Sequence, residues 1–586
     1  MRYLLKYMKP YRKEAVLAPL FKLLEATLEL FVPIVMTMII DNGIANRDNS
    51  YILWMGAVLV AIAAVGMTVS ITAQYFAAKA AVCFSTDVKH ALFKHITHLS
   101  AESAGNLGAT TLITRMTSDM NQVSTGVNLF LRLFLRSPFI VLGAMVMAFA
   151  IDVRAAAVFA CVIPVIGIVL WSCLHYTIPK IRCTQKQTDD ILRRTGETLS
   201  GARVVRAFVR QESEKRQFDD VNEGLYRKQM HVGRLSALMN PVTLLVVNVG
   251  IIVLVYEGGV RVEAGTLTQG QVVALVNYMS QILIELVKLA NLILNINRAL
   301  ACAGRVREVF LLPEEGTDTD RCFEEGRVQG VAVRTENLSF RYPGAQGDAL
   351  KGLTFSALPG ETWGIIGGTG AGKTTLLSLL LGFYHETGGV LYINECVEKS
   401  DNPATTKMTD INQQIRSVWR ADIGYAPQRS VLFSGTIREN LLMGDREASD
   451  SALWEALDVA QAADFIRKKD GLDTVVEQGG RNFSGGQRQR LCIARALVRR
   501  PKLLLLDDAF SALDTATEKR LRSALRKYLS ETGTTTLIVS QRIASVRDAD
   551  GIIVLDEGET VGVGTHDELL RSCEVYREIA QIGGGA

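Results

Sequence analysis

Trp363-Gly-Ile-Ile-Gly-Gly-Thr-Gly-Ala-Gly-Lys-Thr-Thr375 contains a complete G-x-x-x-x-G-K-T loop, running from Gly367 to Thr374. Apolar residues on both sides place it between a strand and a helix, the context in which this pattern is specific. Its glycines let backbone N–H groups close around phosphate oxygens, and the following helix offers its positive end. The expected phosphate-binding set is Gly367, Gly368, Thr369, Gly370, Ala371, Gly372, Lys373, Thr374 and Thr375. Lys373 is placed to bridge the terminal phosphates and Thr374 to hold Mg²⁺. Downstream, Leu503-Leu-Leu-Leu-Asp507 reads as a buried strand ending in a carboxylate, where a second Mg²⁺ partner must sit. The reading is an α/β P-loop nucleotide fold.

Upstream the solvent changes. Apolar runs at about Ala15–Ile40, Tyr51–Phe84, Val127–Ala150, Ala155–Tyr176, Leu235–Tyr256 and Val272–Leu294 crowd the first half and stop near residue 300. Each is long enough to cross a hydrocarbon core of ~30 Å as a helix. The connections at Asp41–Ser50, Asp152–Arg154 and Glu257–Gln269 are short and poor in Lys and Arg, whereas those near 85–126 and 177–234 are long and basic. The positive-inside rule puts the long ones, and both termini, in the cytoplasm. Met1–Pro10 reads as a basic interfacial helix. The expected organisation is a six-span α-helical transmembrane domain over 1–311, a polar linker over 312–330, and the α/β P-loop domain over 331–586.

Composition agrees with that division. Over 586 residues, 48% are hydrophobic and 21% charged, and the net charge is +4. This excludes a disordered chain, and it gives no ground for a nucleic-acid partner. The nine cysteines include no C-x-x-C pair, so a zinc or thioredoxin-type site has no support.

Phe483-Ser-Gly-Gly-Gln487 resembles the LSGGQ signature of ABC transporters, with Phe in place of Leu. Tyr342 in Phe-Arg-Tyr-Pro resembles the aromatic residue that stacks on adenine. Gln428 in Tyr-Ala-Pro-Gln resembles the Q-loop, which reaches Mg²⁺ and the catalytic centre, and Ser511-Ala-Leu-Asp514 the D-loop. Thr474–Gly479 is similar to the X-loop of exporters. Leu112–Asp119 and Glu197–Phe208 resemble stretches around two coupling helices, expected near Thr111–Gln122 and Ser200–Glu212. The resemblance implies a half-transporter of the exporter type, using ATP and Mg²⁺. It also implies that Ser484, Gly485, Gly486 and Gln487 clamp the γ-phosphate of a nucleotide held by the opposite subunit.

Two residues depart from the family pattern. Asp508 stands where most hydrolysing members have Glu, and Gln541 stands where the switch has His. Asp is one methylene shorter, and Gln cannot become a cation near pH 7. The pair implies a site, with Asp508, Gln541 and Gln428 at its catalytic positions, that binds ATP and turns it over poorly. The expected partner is a second ABC half-transporter, a different chain with Glu and His, whose own site does most of the catalysis. The resemblance is to the degenerate-site half of bacterial heterodimeric exporters, which places the chain in a bacterial inner membrane among lipids. A homodimer is the alternative.

The expected cargo is hydrophobic or amphipathic. A peptide or lipid exporter, an exporter-shaped importer of metal chelators, and a nucleotide-gated channel-like subunit stay open. Lys22, Glu25 and Glu29 share a helical face, as do Arg132 and Arg136, and Glu285 and Lys288. Intramembrane charges either line a watery cavity or pair with one another. For the arginines, pairing or a helix end near water is the expectation. For Glu25, Glu29 and Glu285, contact with cationic cargo is equally open.

Overall fold

The computed structural model describes residues 3–315, 332–394, 408–410 and 416–583, so most of the expected linker lies outside the described residues. The chain forms two compact units. One is Met1–Leu99 with Leu107–Leu312; the other is Ser100–Asn106 with Pro313–Ala586.

The first unit is helical. Leu4–Ile44, Asn49–Thr97, Ala109–Ile151, Val153–Ser200, Pro241–Glu263 and Gln269–Phe310 are each long and apolar enough to cross a membrane. A 49-residue helix is about 74 Å long at 1.5 Å per residue, so the second runs well beyond a ~30 Å hydrocarbon layer. In that helix Leu53, Trp54, Val60 and Met67 are exposed. A face of this kind suits lipid as its solvent.

Carboxylates pin the turns between spans. Asp48 caps the second helix through the N–H groups of Ser50 and Tyr51. Asp41 accepts from the Gly270 N–H at 2.8 Å and the Thr268 hydroxyl at 2.5 Å, tying the first span to the start of the sixth. Asp152, extended between the third and fourth spans, caps the fourth through the Ala155 N–H at 2.7 Å and pairs with Arg261 at 2.6 Å. Inside the bundle, Phe159, Ile166, Leu254, Leu275, Tyr278 and Met279 form the core. The Tyr278 hydroxyl donates to the Leu30 carbonyl at 2.6 Å. The third and sixth spans approach so closely at Gly126 that a Cβ there would lie 2.2 Å from that of Ala299.

One expectation is corrected. The first short helix between spans is Ala101–Leu107, whereas Thr111–Gln122 already belongs to the long third helix. The break is local chemistry: Ser100 Oγ accepts the Ser103 N–H, and Gly108, at φ +74°, turns the chain where a side chain would be strained. The second short helix, Ala202–Ala207, falls within its expected stretch.

The second unit is α/β. Its strands are β1 (Val333–Phe340), β2 (Leu350–Ala357), β3 (Thr362–Gly367), β4 (Gly388–Asn394), β5 (Met408–Asp410), β6 (Ile423–Ala426), β7 (Gly435–Thr436), β8 (Val475–Val476), β9 (Leu503–Asp507), β10 (Thr535–Ser540), β11 (Gly551–Asp556) and β12 (Glu559–Gly564). One sheet has the order β2-β1-β4-β5, another β12-β11-β3-β10-β9-β6, and β7 pairs with β8. In the six-stranded sheet all neighbours are parallel except β11 with β12. β9 and β10 are buried along their whole length, which explains their unbroken apolar run. The C-terminal ends of β3, β6, β9 and β10 therefore share one edge, where ligands bind in such sheets.

Candidate nucleotide site

At that edge lies a cavity of about 330 Å³. It is lined by Tyr342, Thr369–Thr375, Gln428, Asp507, Asp508 and Gln541, together with Ala349, Val539 and Ser540. Gly367 and Gly368 sit behind it. The sheet accounts for the gathering: the phosphate loop leaves β3, Gln428 follows β6, Asp507 ends β9 and Gln541 follows β10.

The loop is built for glycine. Gly370 and Gly372 hold φ of +86° and +95°, and a Cβ on Gly372 would meet the Ala349 carbonyl oxygen at 2.6 Å. Lys373 opens the helix Lys373–Leu380 and is 8% exposed. Its Nζ donates to the carbonyls of Gly367 at 2.8 Å and Gly368 at 2.6 Å. Burial pulls the Lys373 pKa down, against the pull of Asp508 and Asp507. Burial pushes the Asp507 carboxyl up, opposed by a hydrogen bond from the Thr374 hydroxyl at 3.3 Å. A buried cation resting on carbonyls, and a buried carboxylate beside a hydroxyl, both lack a full counter-charge. A polyphosphate with a divalent cation would supply both, so the residues fit Mg²⁺–ATP: Lys373 and the loop N–H groups for phosphate, Thr374 and Asp507 for the metal.

Tyr342 is held edge-on by Phe340 and Tyr384, with ring centroids 4.8 Å and 5.3 Å away. Its hydroxyl lies 3.1 Å from that of Thr375, which fixes an aromatic ring at the mouth of the cavity.

Asp508 has a left-handed backbone, φ +47°, which Asp tolerates better than most residues. Its N–H donates to the Val539 carbonyl at 3.0 Å, and its own carbonyl accepts from the Ser511 hydroxyl at 2.8 Å and the Gln489 amide at 3.0 Å. The backbone is thus fixed, and the reach of the carboxylate is set by its single methylene.

The signature residues are not part of this cavity. Ser484 caps the helix Gly485–Val498, accepting the Gln487 N–H, while the Gln487 side chain accepts the Ser484 N–H at 3.0 Å. Ser484 and Gly485 are exposed beside the positive end of that helix. Phe483, the departure from Leu, is 3% exposed in the core, edge-on to Phe465 and beneath the Lys469 ammonium. The Phe483 ring packs into the core, away from the exposed Ser484 and Gly485.

Gln489 was missed in the sequence. It is 3% exposed, and its Oε1 accepts the Ala512 N–H at 3.0 Å while its amide donates to the Asp508 carbonyl. One side chain therefore bridges the signature helix, the D-loop and the Asp508 turn. A helical-phase signal existed: Gln489 shares the buried face with Cys492, Ile493 and Ala496.

In the first unit the carboxylates have partners. Glu25 pairs with Lys22 at 2.5 Å; Arg136 reaches Glu29 at 2.7 Å and Glu285 at 2.8 Å. Glu285 also accepts from Ser137 at 2.7 Å and Lys288 at 2.8 Å. Pairing, expected for the arginines, holds for Arg136. Arg132 has neither an ion pair nor a hydrogen bond among the described residues, with its Nε buried.

Residues 16–286 match the ABC transporter transmembrane region, and 350–511 the ABC transporter ATP-binding family. An uncharacterized ABC transporter ATP-binding protein of Mycobacterium tuberculosis is 35% identical over 580 residues, covering 98% of this chain and 97% of that one. An ATP-dependent lipid A-core flippase of Nitrosococcus oceani is 29% identical over 571 residues, 97% and 93% of the two chains. The fold is similar to a bacterial Atm1-family ABC exporter with ATP bound, at a TM-score of 0.79, 24% identity and 98% of both chains. With its transmembrane region and P-loop domain in one polypeptide, the chain belongs to the ABC transporter family.

Proposed function

We propose that this chain is one half of a heterodimeric ABC exporter of the bacterial inner membrane, with both termini cytoplasmic, that moves hydrophobic or amphipathic compounds. The observation that carries the reading is a separation. Asp508 and Gln541 border the cavity made by this chain's own Lys373, Thr374 and Asp507, whereas Ser484–Gln487 lie outside it. A second chain is needed to complete each site. This chain's cavity would hold ATP and release it slowly; its signature would complete the partner's site, where Glu and His do the hydrolysis. Closure of the two nucleotide domains on ATP, passed through Ala101–Leu107 and Ala202–Ala207, would turn the spans outward. The relative named as a lipid A-core flippase supports an amphipathic cargo by family analogy.

Replacing Asp508→Glu together with Gln541→His tests the asymmetry. Turnover of the complex should rise about twofold, toward two competent sites, or lose its dependence on cargo. A fall in turnover with unchanged ATP binding would contradict the reading.

A further inference from the structure

The charges between the first, third and sixth spans do not balance. Arg136 and Lys288 share Glu29 and Glu285, Lys22 takes Glu25, and Arg132 has no ion pair among the described residues. Arg136 is 7% exposed and serves both carboxylates, Glu285 is 3% exposed, and the Glu29 and Lys288 side chains remain nearly half exposed. The surplus cation is Arg132, four residues before Arg136 and across the break in the third span at Phe134 and Leu135.

Hydrogen bonding tells the same story independently. Among the described residues of the membrane-spanning unit, the buried side-chain polar atoms without a partner are Arg132 Nε, Arg136 Nε and Gln281 Oε1. Gln281 lies one turn from Glu285, Arg136 belongs to the same ion network, and Arg132 precedes Arg136 by four residues in the third span. Two of them are guanidinium donors. An unsatisfied buried donor is expensive, more so in an apolar setting, and such groups in a membrane mark a polar pathway or ligand. The guanidinium fork matches the oxygens of phosphate or carboxylate. Phe139, three residues after Arg136 in the same helix, leaves an aromatic ring exposed for an apolar body.

We propose that this cluster is the head-group site for the cargo, and that the cargo is an anionic amphiphile, a phosphate or carboxylate on an apolar body. This rests on the exporter reading and reverses the charge that the glutamates alone would favour. Arg132 supplies the free cation, while Arg136 is held in place by Glu29 and Glu285.

The test uses the full complex with its native partner, in nanodiscs of zwitterionic lipid. Binding of labelled dodecyl phosphate is compared with that of dodecyltrimethylammonium, each corrected for empty discs, and inorganic phosphate is added as competitor. Dodecyl phosphate should bind at least tenfold more tightly than the cation and resist displacement by inorganic phosphate. Arg132→Gln should weaken it roughly tenfold, as for one charge-assisted hydrogen bond, and Arg132→Lys should recover most of the loss. Equal or tighter binding of the cation overturns the proposal, and needs no variant to show it. Displacement by inorganic phosphate alone points to a free-anion site and overturns it too, as does unchanged binding in an Arg132→Gln protein with a normal melting temperature. Absence of ATP hydrolysis by the complex would count against the exporter reading and leave the binding result standing.

Discussion

Two helix N-termini in the nucleotide unit carry motifs of the family, and the departures from the family pattern fall differently at each. Around Lys373–Leu380 the loop, Lys373, Thr374 and Asp507 keep the family chemistry, yet Asp508 and Gln541 at the same cavity do not. Around Gly485–Val498 the one change, Phe483, is buried in the core against Phe465. On the proposed reading, this difference separates binding from cleavage. The groups proposed to grip phosphate belong to a loop held by its glycines and Lys373, whereas the departures at Asp508 and Gln541 amount to one methylene and one ring. A chain can lose cleavage and keep binding if its signature works elsewhere.

The sharpest way to break this comparison is Ser484→Arg. It touches none of the residues lining this chain's own cavity, yet hydrolysis by the complex should fall by about 10²-fold or more, as when a transition-state donor is lost. ATP retained at this chain's cavity should persist. Normal hydrolysis in the variant would show that the two helix ends are not shared between sites. Lys373→Ala should act the other way round. ATP retention by this chain should weaken about 100-fold, as for two charge-assisted hydrogen bonds, while turnover falls less than with Ser484→Arg. Photolabelling of each chain with an azido-ATP analogue reads the two effects apart. Equal losses of turnover in both variants would make the sites equivalent.

Gln489→Ala sharpens the comparison where the two halves meet. It removes the acceptor of the Ala512 N–H and one of the donors to the Asp508 carbonyl, a loss of about 1–3 kcal/mol in stability. Thermal unfolding should show it, with turnover reduced several-fold. A variant as stable and as active as the parent would mean that the bridge carries no load.

Much of this was legible beforehand because it depends on local spacing. The phosphate loop, the Leu503–Asp507 strand, the six apolar runs and the signature are each continuous in sequence. The i,i+3 spacing puts Lys22 and Glu25 on one face, although only the structure shows that Glu25 pairs rather than facing cargo. What escaped depends on tertiary placement. Arg136 and Glu285 are 149 residues apart, and which glutamate an arginine chooses is decided by how spans one, three and six pack. Gln489 shares a helical face with core residues, but its D-loop partner Ala512 lies 23 residues further along the chain. The first short helix was set too late in the chain because the motif resemblance around Leu112–Asp119 outweighed the plainer signals, Ser100 and Gly108.

The composition of the complex tests the central claim most directly. The chain should be tagged, extracted gently from its native membrane, and the intact complex weighed and identified by mass spectrometry. The expected result is a stoichiometric second chain of the same architecture, with Glu after its strand-end Asp and His at its switch. An active dimer of this chain alone would contradict the account, since Asp508 would then suffice for catalysis.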